Sequence, residues 1–293
     1  MKIAIIGAAG MLGSSFTKLY EQEDKFDFRE SDKIKLIDIT KPDSIKTSLN
    51  YKYDIIINCA AYTDVDGAES GVGIMKNLDV NALAVRNLAK FCADKKIKLV
   101  HFSTDYVFGK EDGVKAQGIF KEDDIPNPIN SYGMAKFAGE RYIIDNLRNF
   151  LIVRTQWLYG PNGRNFVEAI LNRAKLGMPL FGVDDQTGCP TFAKDLAMKV
   201  KEMIERYLEP GIWHITNSGS CNWYEFASEI VSLTYPNLGV IPVTTEFYNN
   251  KFGHGKTTAK RPKSSVLSND KLNGKSEPMR HWKDALRDYL SER

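Results

Sequence analysis

Tyr132 and Lys136 stand four residues apart in SYGMAKFAGE, a spacing that places both side chains on one face of a helix. A tyrosine ordinarily loses its proton near pH ~10 and is a poor acid–base catalyst at neutral pH. A neighbouring ammonium favours the phenolate and moves the phenol toward working pH, which makes the pair a candidate proton donor. Tyr-x-x-x-Lys also arises by chance on helix surfaces, so the pair carries little alone. Thr104 adds weight: it follows the β-rich run KLVHFS, within Ser103-Thr104-Asp105-Tyr106-Val107-Phe108. A hydroxyl at a strand end can bond a substrate carbonyl, or the alkoxide that develops from it.

Gly7, Gly10 and Gly13 form Gly-x-x-Gly-x-x-Gly directly after the first apolar run and at the start of the first helical pattern. Without side chains there, backbone can turn tightly and approach a pyrophosphate, whose charge suits a helix N-terminus. In the context strand, loop, helix, the three glycines favour a dinucleotide over a plain turn. An acid roughly 20 residues further on is expected to read the ribose, and Glu30 is the nearest candidate. Arg29 and Lys33 flank it, and either could meet a 2′-phosphate instead, so NADH and NADPH both stay open. Glycine loop, strand-end threonine and Tyr-x-x-x-Lys, in this order, point jointly to an oxidoreductase.

These groups need a scaffold that brings them together. Lys2-Ile6 reads as a strand and Met11 through Tyr20 as a helix. Asp54-Ala61 (DIIINCAA) is continuously apolar, as a strand buried on both faces should be. Residues 78–96 and 130–147 carry helical patterns, with Lys98-Ser103 and Phe150-Arg154 as strands. Alternating strands and helices imply a parallel sheet covered on both sides. After about residue 155 the texture is richer in Gly, Pro and Asp, with helices ending near Lys175 and over 194–207 and a strand at 211–215. The expected fold is α/β: a Rossmann-type doubly wound parallel sheet with a smaller, loop-rich C-terminal substrate domain. The division expected is 1–155 for the NAD(P)-binding half, with later returns near 192–217, and 156–293 mainly for substrate.

Composition narrows the partners. The 293 residues are 43% hydrophobic and 26% charged, an ordinary globular balance that excludes disorder, collagen and a membrane bundle. Forty basic against 37 acidic residues give +3, so no bulk field argues for nucleic acid or an anionic membrane. The start MKIAIIGAAG has a thin basic region and an apolar run interrupted by glycines, a poor signal peptide. Cys59, Cys92, Cys189 and Cys221 are scattered, which fits a reduced cytoplasmic setting. The histidines lack metal-ligand spacing, and no metal is expected. Gly255-Lys256-Thr257 resembles the end of a phosphate loop, but Asn250 stands where a Walker motif needs glycine. Lys256, Lys260 and Arg261 read as a solvated basic loop or as groups facing a substrate diphosphate. Trp213 and the CNWYEF run (221–226) read as core.

The glycine spacing is the version used by short-chain dehydrogenases/reductases. The whole chain resembles the extended members of that superfamily, and within them the dTDP-4-dehydrorhamnose reductase family. GAAGMLG is similar to the cofactor loop, adding Met11 and Leu12 to its glycines, and Asp38-Ile39 resembles the adenine-side segment. NCAAYTDVDGAE resembles N-A-A-A-Y-T-x-V-D-x-A-E, which implies that Cys59, Ala60, Ala61 and Tyr62 lie beside the cofactor. Asn81 is similar to a helix asparagine that supports the catalytic lysine. STDYVF, SYGMAK and RTQWLYG imply a catalytic set of Thr104, Tyr132 and Lys136, with Asp105, Tyr106 and Trp157 against a sugar. Asp185-Gln186-Thr187-Gly188-Cys189-Pro190-Thr191 and Arg261-Pro262 with Ser265 and Leu267 resemble two further family segments.

The resemblance implies NADH- or NADPH-dependent reduction of a 4-keto group on a nucleotide-linked 6-deoxyhexose, in dTDP-rhamnose supply for cell-surface polysaccharide. Neither nucleic acid nor membrane is an expected partner, and a homodimer is the assembly to examine. Cys59, Asp64 and Gly67 depart from the commoner residues, and 24–36 is unusually charged. Another reductase or epimerase of the superfamily would share the same residues. So would the fold of a non-catalytic protein such as the regulatory subunit of methionine adenosyltransferase.

Overall fold

The computed structural model describes residues 1–29, 31–50, 52–109, 118–206, 209–253 and 257–293. The first strands are β1 (Ile3–Ile6), β2 (Asp24–Asp27), β3 (Lys35–Leu36), β4 (Ile55–Asn58), β5 (Lys98–Thr104) and β6 (Phe150–Thr155), of which β1, β4 and β6 are apolar runs rich in β-branched residues. Every residue of β1 and β4 is buried, because helices cover both faces of the sheet. The intervening helices are α1 (Met11–Leu19), α2 (Pro42–Ser48), α3 (Gly71–Leu78), α4 (Ala84–Lys95) and α5 (Ser131–Asn146). A π-helical turn, Asp79–Leu83, joins α3 to α4.

The C-terminal half supplies β7 (Leu158–Tyr159), α6 (Phe166–Lys175), β8 (Leu180–Val183), β9 (Thr187–Gly188), β10 (Thr191–Phe192), α7 (Ala193–Glu205) and β11 (Gly211–His214). It continues with β12 (Cys221–Asn222), α8 (Trp223–Thr234), β13 (Val240–Val243), α9 (Thr245–Phe252), α10 (Asp270–Asn273) and α11 (Trp282–Ser291). The start of α8 is fixed by a capping box in which Asn222 and Glu225 satisfy each other's backbone N–H groups.

Seven strands form one parallel sheet in the order β11-β6-β5-β4-β1-β2-β3. Strand order reverses between β1 and β4, and such folds bind ligands in the crevice beyond the strand ends at that switch point. One apolar layer joins Ile3, Ile5, Phe16 and Leu196 between the sheet, α1 and α7. The opposite layer joins Ile6, Val85, Leu88 and Ile143 under α4 and α5. A third core, with Tyr159, Phe192, Phe226 and Trp282, holds the C-terminal elements, whose strands pair only in twos. β11 is the exception, returning from that half to extend the large sheet beside β6. Among the described residues no helix is long and apolar enough to cross a membrane.

Candidate active site

The glycine loop turns at the end of β1. Gly7 has φ +75°, and a β-carbon there would lie 2.6 Å from the Ala60 nitrogen. A β-carbon on Gly13 would stand 1.9 Å from the Gly7 carbonyl oxygen, so α1 approaches the loop more closely than any side chain permits. Gly10 is the N-cap of α1 and leaves the first-turn N–H groups without a side-chain acceptor, an arrangement suited to an anion. Met11 packs beside Gly160 and Gly163, and Leu12 enters the core. Across the crevice, the Cys59 N–H bonds the Ile6 carbonyl and the Ala60 N–H bonds Asn58 Oδ1 at 3.2 Å. Ala61 is exposed there, and Tyr62 is tied through its backbone to Asn81.

The acid beside the glycine loop is Asp27, at the end of β2, a residue the spacing argument passed over. Its Oδ2 accepts the Ala9 N–H at 3.2 Å and its Oδ1 the Arg29 N–H at 3.1 Å. Glu30 lies outside the described residues. Asp38 turns its carboxylate to Thr40 and Lys41, at the start of α2, and Ile39 is buried in the second core layer.

Asn81 sits in the π-helical turn, a local insertion that often marks functional sites. Its amide brackets Tyr62, accepting from the Tyr62 N–H at 3.1 Å and donating to the Tyr62 carbonyl at 2.8 Å. The Asn81 backbone carbonyl lies so close to α5 that a β-carbon on Gly139 would meet it at 2.4 Å. That contact sets where α5 crosses the crevice. α5 itself starts at Asn130, whose side chain accepts the Gly133 N–H at 2.7 Å.

Thr104 ends β5 and caps a short 3-10 turn, accepting the Tyr106 N–H and donating to Asp105 Oδ1 at 2.9 Å. Tyr132, in the first turn of α5, lies beside the Thr104 hydroxyl and stands edge-on to Tyr106 at 6.2 Å between ring centroids. Burial, then the charges of Asp105 and Tyr106, push the Tyr132 phenol above its ordinary value. Lys136 is buried one turn along and donates to the Phe102 carbonyl at 2.5 Å rather than to the phenol. Burial brings its ammonium down to about 8, against the opposing effect of Glu140.

Beneath the lysine, Glu140 receives two hydrogen bonds from Arg154 of β6, at 2.9 and 2.7 Å, with both residues at most 1% exposed. Periodicity gave no sign of this pair, since its partners lie on different elements. Asp105 is also buried, and burial lifts its carboxyl to about 7 despite hydrogen bonds from Ser265 and Thr104. Ser103 Oγ, Thr155 Oγ1 and Gln156 Nε2, near the same strand ends, are buried with no hydrogen-bond partner among the described residues.

Trp157 has φ +47°, a conformation bulky side chains rarely adopt outside functional sites. Its ring stacks on Trp223 at 3.5 Å, and a β-carbon on Gly188 would lie 2.5 Å from it. The 185–191 loop is therefore shaped around this indole. Trp223, expected in the core, packs against the third core layer and at the same time lines a cavity of about 460 Å³ with Phe166, Phe181, Phe252, Asp66 and Arg261. A single residue of an apolar run can face a cavity because helix α8 buries Phe226 and Ile230 on another side. Arg261 is no solvated loop residue: it is paired with Asp66 and borders this cavity. Of the phosphate-loop resemblance, Gly255 and Lys256 lie outside the described residues.

Residues 1–293 match the family described as the RmlD substrate binding domain. The chain is 36% identical over 297 residues to the spore coat polysaccharide biosynthesis protein SpsK of Bacillus subtilis, covering 100% of this chain and 98% of that one. It superposes on a dTDP-4-dehydrorhamnose reductase from Clostridium acetobutylicum with TM-score 0.85 and 35% identity, over 99% of both chains. A dTDP-4-dehydrorhamnose reductase from Bacillus anthracis, solved in complex with NADP, gives TM-score 0.85 and 34% identity over 100% of both chains. A switch-point crevice with a glycine cradle, and end-to-end likeness in sequence and fold, lead to one assignment: the chain belongs to the RmlD substrate binding domain family.

Proposed function

We propose that the chain is an NAD(P)H-dependent reductase of the 4-keto group of a nucleotide-linked 6-deoxyhexose, converting dTDP-4-dehydrorhamnose to dTDP-rhamnose. The observation that carries this reading is the convergence of Thr104, Tyr132 and Lys136 on the C-terminal edge of the parallel sheet. The reductase names of relatives matched from end to end support it.

The glycine cradle fits a dinucleotide, because Gly7 and Gly13 admit no side chain and α1 opens toward them. Gly7, Gly10, Met11, Leu12 and Gly13 would hold it on one side of the crevice, with Cys59, Ala60, Ala61 and Tyr62 opposite. Asp38 and Ile39 belong to its adenine side, and Asn81 fixes Tyr62. When bound, reduced nicotinamide supplies the hydride.

Tyr132 donates the proton that the carbonyl oxygen needs as it becomes an alcohol. Burial keeps that phenol protonated at neutral pH, so it is loaded as an acid. Lys136, one turn away on α5, keeps its positive charge below about pH 8 and opposes the negative charge left on the tyrosine. Thr104 Oγ1 orients the carbonyl, while Asp105, Tyr106 and Trp157 hold the sugar. The Glu140–Arg154 pair fixes α5 against β6, which keeps Tyr132 and Lys136 in register.

The same reading divides the chain into a cofactor half, 1–155 with returns near 192–217, and a substrate half within 156–293. The pairing of β11 with β6 supports the return. Four free cysteines agree with a cytoplasmic setting. A homodimer is the assembly we carry forward; α3 exposes Val72, Ile74, Met75 and Leu78, and light scattering tests it.

The test of function is oxidation of NADH and of NADPH against a panel of nucleotide-linked 4-keto-6-deoxy sugars, with product stereochemistry determined. Stoichiometric consumption yielding a 4-hydroxy product is expected. No oxidation with any sugar overturns the reading in favour of a binding protein.

A further inference from the structure

We infer that His214 is a positioning residue for the reduction: through Arg154 and Glu140 it fixes the rotation of α5, and so sets where Tyr132 stands. The inference rests on the reductase reading and deepens it by adding a residue that is wholly buried and offers no surface to a ligand. Tyr132, Lys136 and Glu140 follow one another at intervals of four, so they share one stripe of α5. The far end of that stripe is held by the two hydrogen bonds that Glu140 receives from Arg154. Tyr132 stands about 12 Å from Glu140 along the helix axis, at ~1.5 Å per residue, so slack at the pair is passed on to the phenol.

Arg154 is held in turn by His214. The two are register partners on β6 and β11, which puts their side chains beside each other on one face of the sheet. Arg154 Nη1 lies 3.4 Å from His214 Nε2. A guanidinium has no acceptor, so Nε2 accepts and the ring proton belongs on Nδ1. Nδ1 is 3.2 Å from the Phe120 carbonyl oxygen, the acceptor that this tautomer needs. Both ring nitrogens and every guanidinium nitrogen are thereby engaged, with His214, Arg154 and Glu140 each at most 1% exposed. Burial, then the Arg154 charge, keeps the ring neutral by bringing it down to about 3.

The same contacts run on to the threonine. The Phe120 carbonyl also accepts the Ser268 N–H at 2.8 Å, and the Phe120 N–H donates to the Val266 carbonyl at 2.8 Å. Ser265, next along that segment, holds Asp105, which accepts from Thr104. Thr104 and Tyr132 must meet one carbonyl, and a continuous path through Phe120, His214, Arg154 and Glu140 joins their supports. Phe108 fills the space beside it, stacked on Phe120 at 4.4 Å, edge-on to His214 at 5.8 Å and 5.0 Å beneath the Arg154 guanidinium. Loss of the Nε2 acceptor leaves a buried N–H of Arg154 unpaired. The arginine then gains by turning, and Glu140 turns with it.

Two amide variants of the full chain separate the two sides of the ring. His214→Gln sets an amide oxygen near the place of Nε2 and keeps an acceptor for Arg154. His214→Asn sets an amide nitrogen near the place of Nδ1, so it keeps the donor to Phe120 and loses the arginine. With the keto sugar and cofactor that the wild type turns over, kcat of His214→Asn should fall about ten- to a hundredfold, the scale of an ångström-sized misplacement, and each KM should stay within about threefold. His214→Gln should retain most of kcat. His214→Met, which fills the space without an acceptor, takes the place of the asparagine variant if that chain does not fold. Unchanged kcat in the acceptor-free variant, an effect on KM alone, or an equal loss in His214→Gln overturns the inference. Hydrogen exchange read by mass spectrometry needs no turnover. Exchange over 131–141 should quicken in His214→Asn and not in His214→Gln, with α4 unchanged in both; equal exchange, or quickening throughout the chain, overturns the inference as well. A wild type that reduces no keto sugar removes the reductase reading, and exchange then decides the role of His214. Turnover indifferent to His214 removes this inference alone.

Discussion

Ser265 donates a hydrogen bond of 2.6 Å to Asp105, reaching across 160 residues of sequence to the carboxyl that neighbours Tyr132. The catalytic end of the crevice is thus closed by a segment near the C-terminus. Gln156 completes the group, with its Oε1 at 3.4 Å from the same serine hydroxyl.

Tyr132→Phe removes the proposed proton donor while leaving the ring and its packing. Turnover should fall about 10²- to 10⁴-fold, the span attributed to a positioned general acid. Cofactor affinity measured by calorimetry should stay within twofold. Near wild-type turnover in the purified variant removes Tyr132 from the mechanism.

Lys136 is brought down to about 8 by burial, so its charge is lost on moderate alkalisation. A profile of kcat against pH should decline above about 8 in the wild type. Lys136→Met should lose activity at every pH and show no such limb. A wild-type profile flat to pH 10 contradicts a role for the lysine charge.

Asp105 carries the opposite kind of pH signal. Its carboxyl, raised to about 7 by burial, binds a proton more tightly in the folded chain than in the unfolded one. Its contribution to stability is therefore present at low pH and is lost as pH rises toward and through 7. Asp105→Asn cannot ionise, so its melting temperature should gain on the wild type between pH 5 and 8. Parallel melting curves across that range argue against a perturbed Asp105.

Gly13→Ala places a methyl where the Gly7 carbonyl oxygen stands 1.9 Å away. The backbone must shift, at a cost of about 1–3 kcal/mol for overpacking. NADPH affinity should drop about tenfold or more, since each ~1.4 kcal/mol is a factor of ten. Unchanged affinity and stability would show that α1 can move off the loop freely.

Glu140→Gln leaves Arg154 as a buried cation without its partner. Breaking such a pair costs about 3–5 kcal/mol, and urea denaturation should report a loss of that order. The double variant Glu140→Leu/Arg154→Met should recover much of it. Its activity should stay low if the pair also sets the register of α5 against β6.

Much of this architecture was open to reading from local pattern. The helix expected over 130–147 is found at Ser131–Asn146, and the strand expected at Lys98-Ser103 runs through Thr104. The helix is 16 residues long and the strand is buried over six of its seven residues, so each leaves a clear local pattern. The second strand was harder: it ends at Asp27, so the acid beside the glycine loop precedes the position that spacing suggested. A four-residue strand with two partly buried positions gives little pattern to read.

The sequence by itself determined the chemistry on offer: a glycine loop after a strand, a strand-end threonine and Tyr-x-x-x-Lys, in an order that an α/β fold gathers at one sheet edge. Those signals are local, because turn geometry, strand burial and helix spacing each act over a few residues. Only the tertiary structure decided which charges meet. Arg154 on Glu140, Ser265 on Asp105, Arg261 on Asp66 and Trp223 against Trp157 join separate elements of the chain. Burial then set the protonation of Asp105 and Lys136, since a low-dielectric surrounding disfavours whichever form is charged. Desolvation is a property of the packed assembly, and no spacing of residues along the chain encodes it.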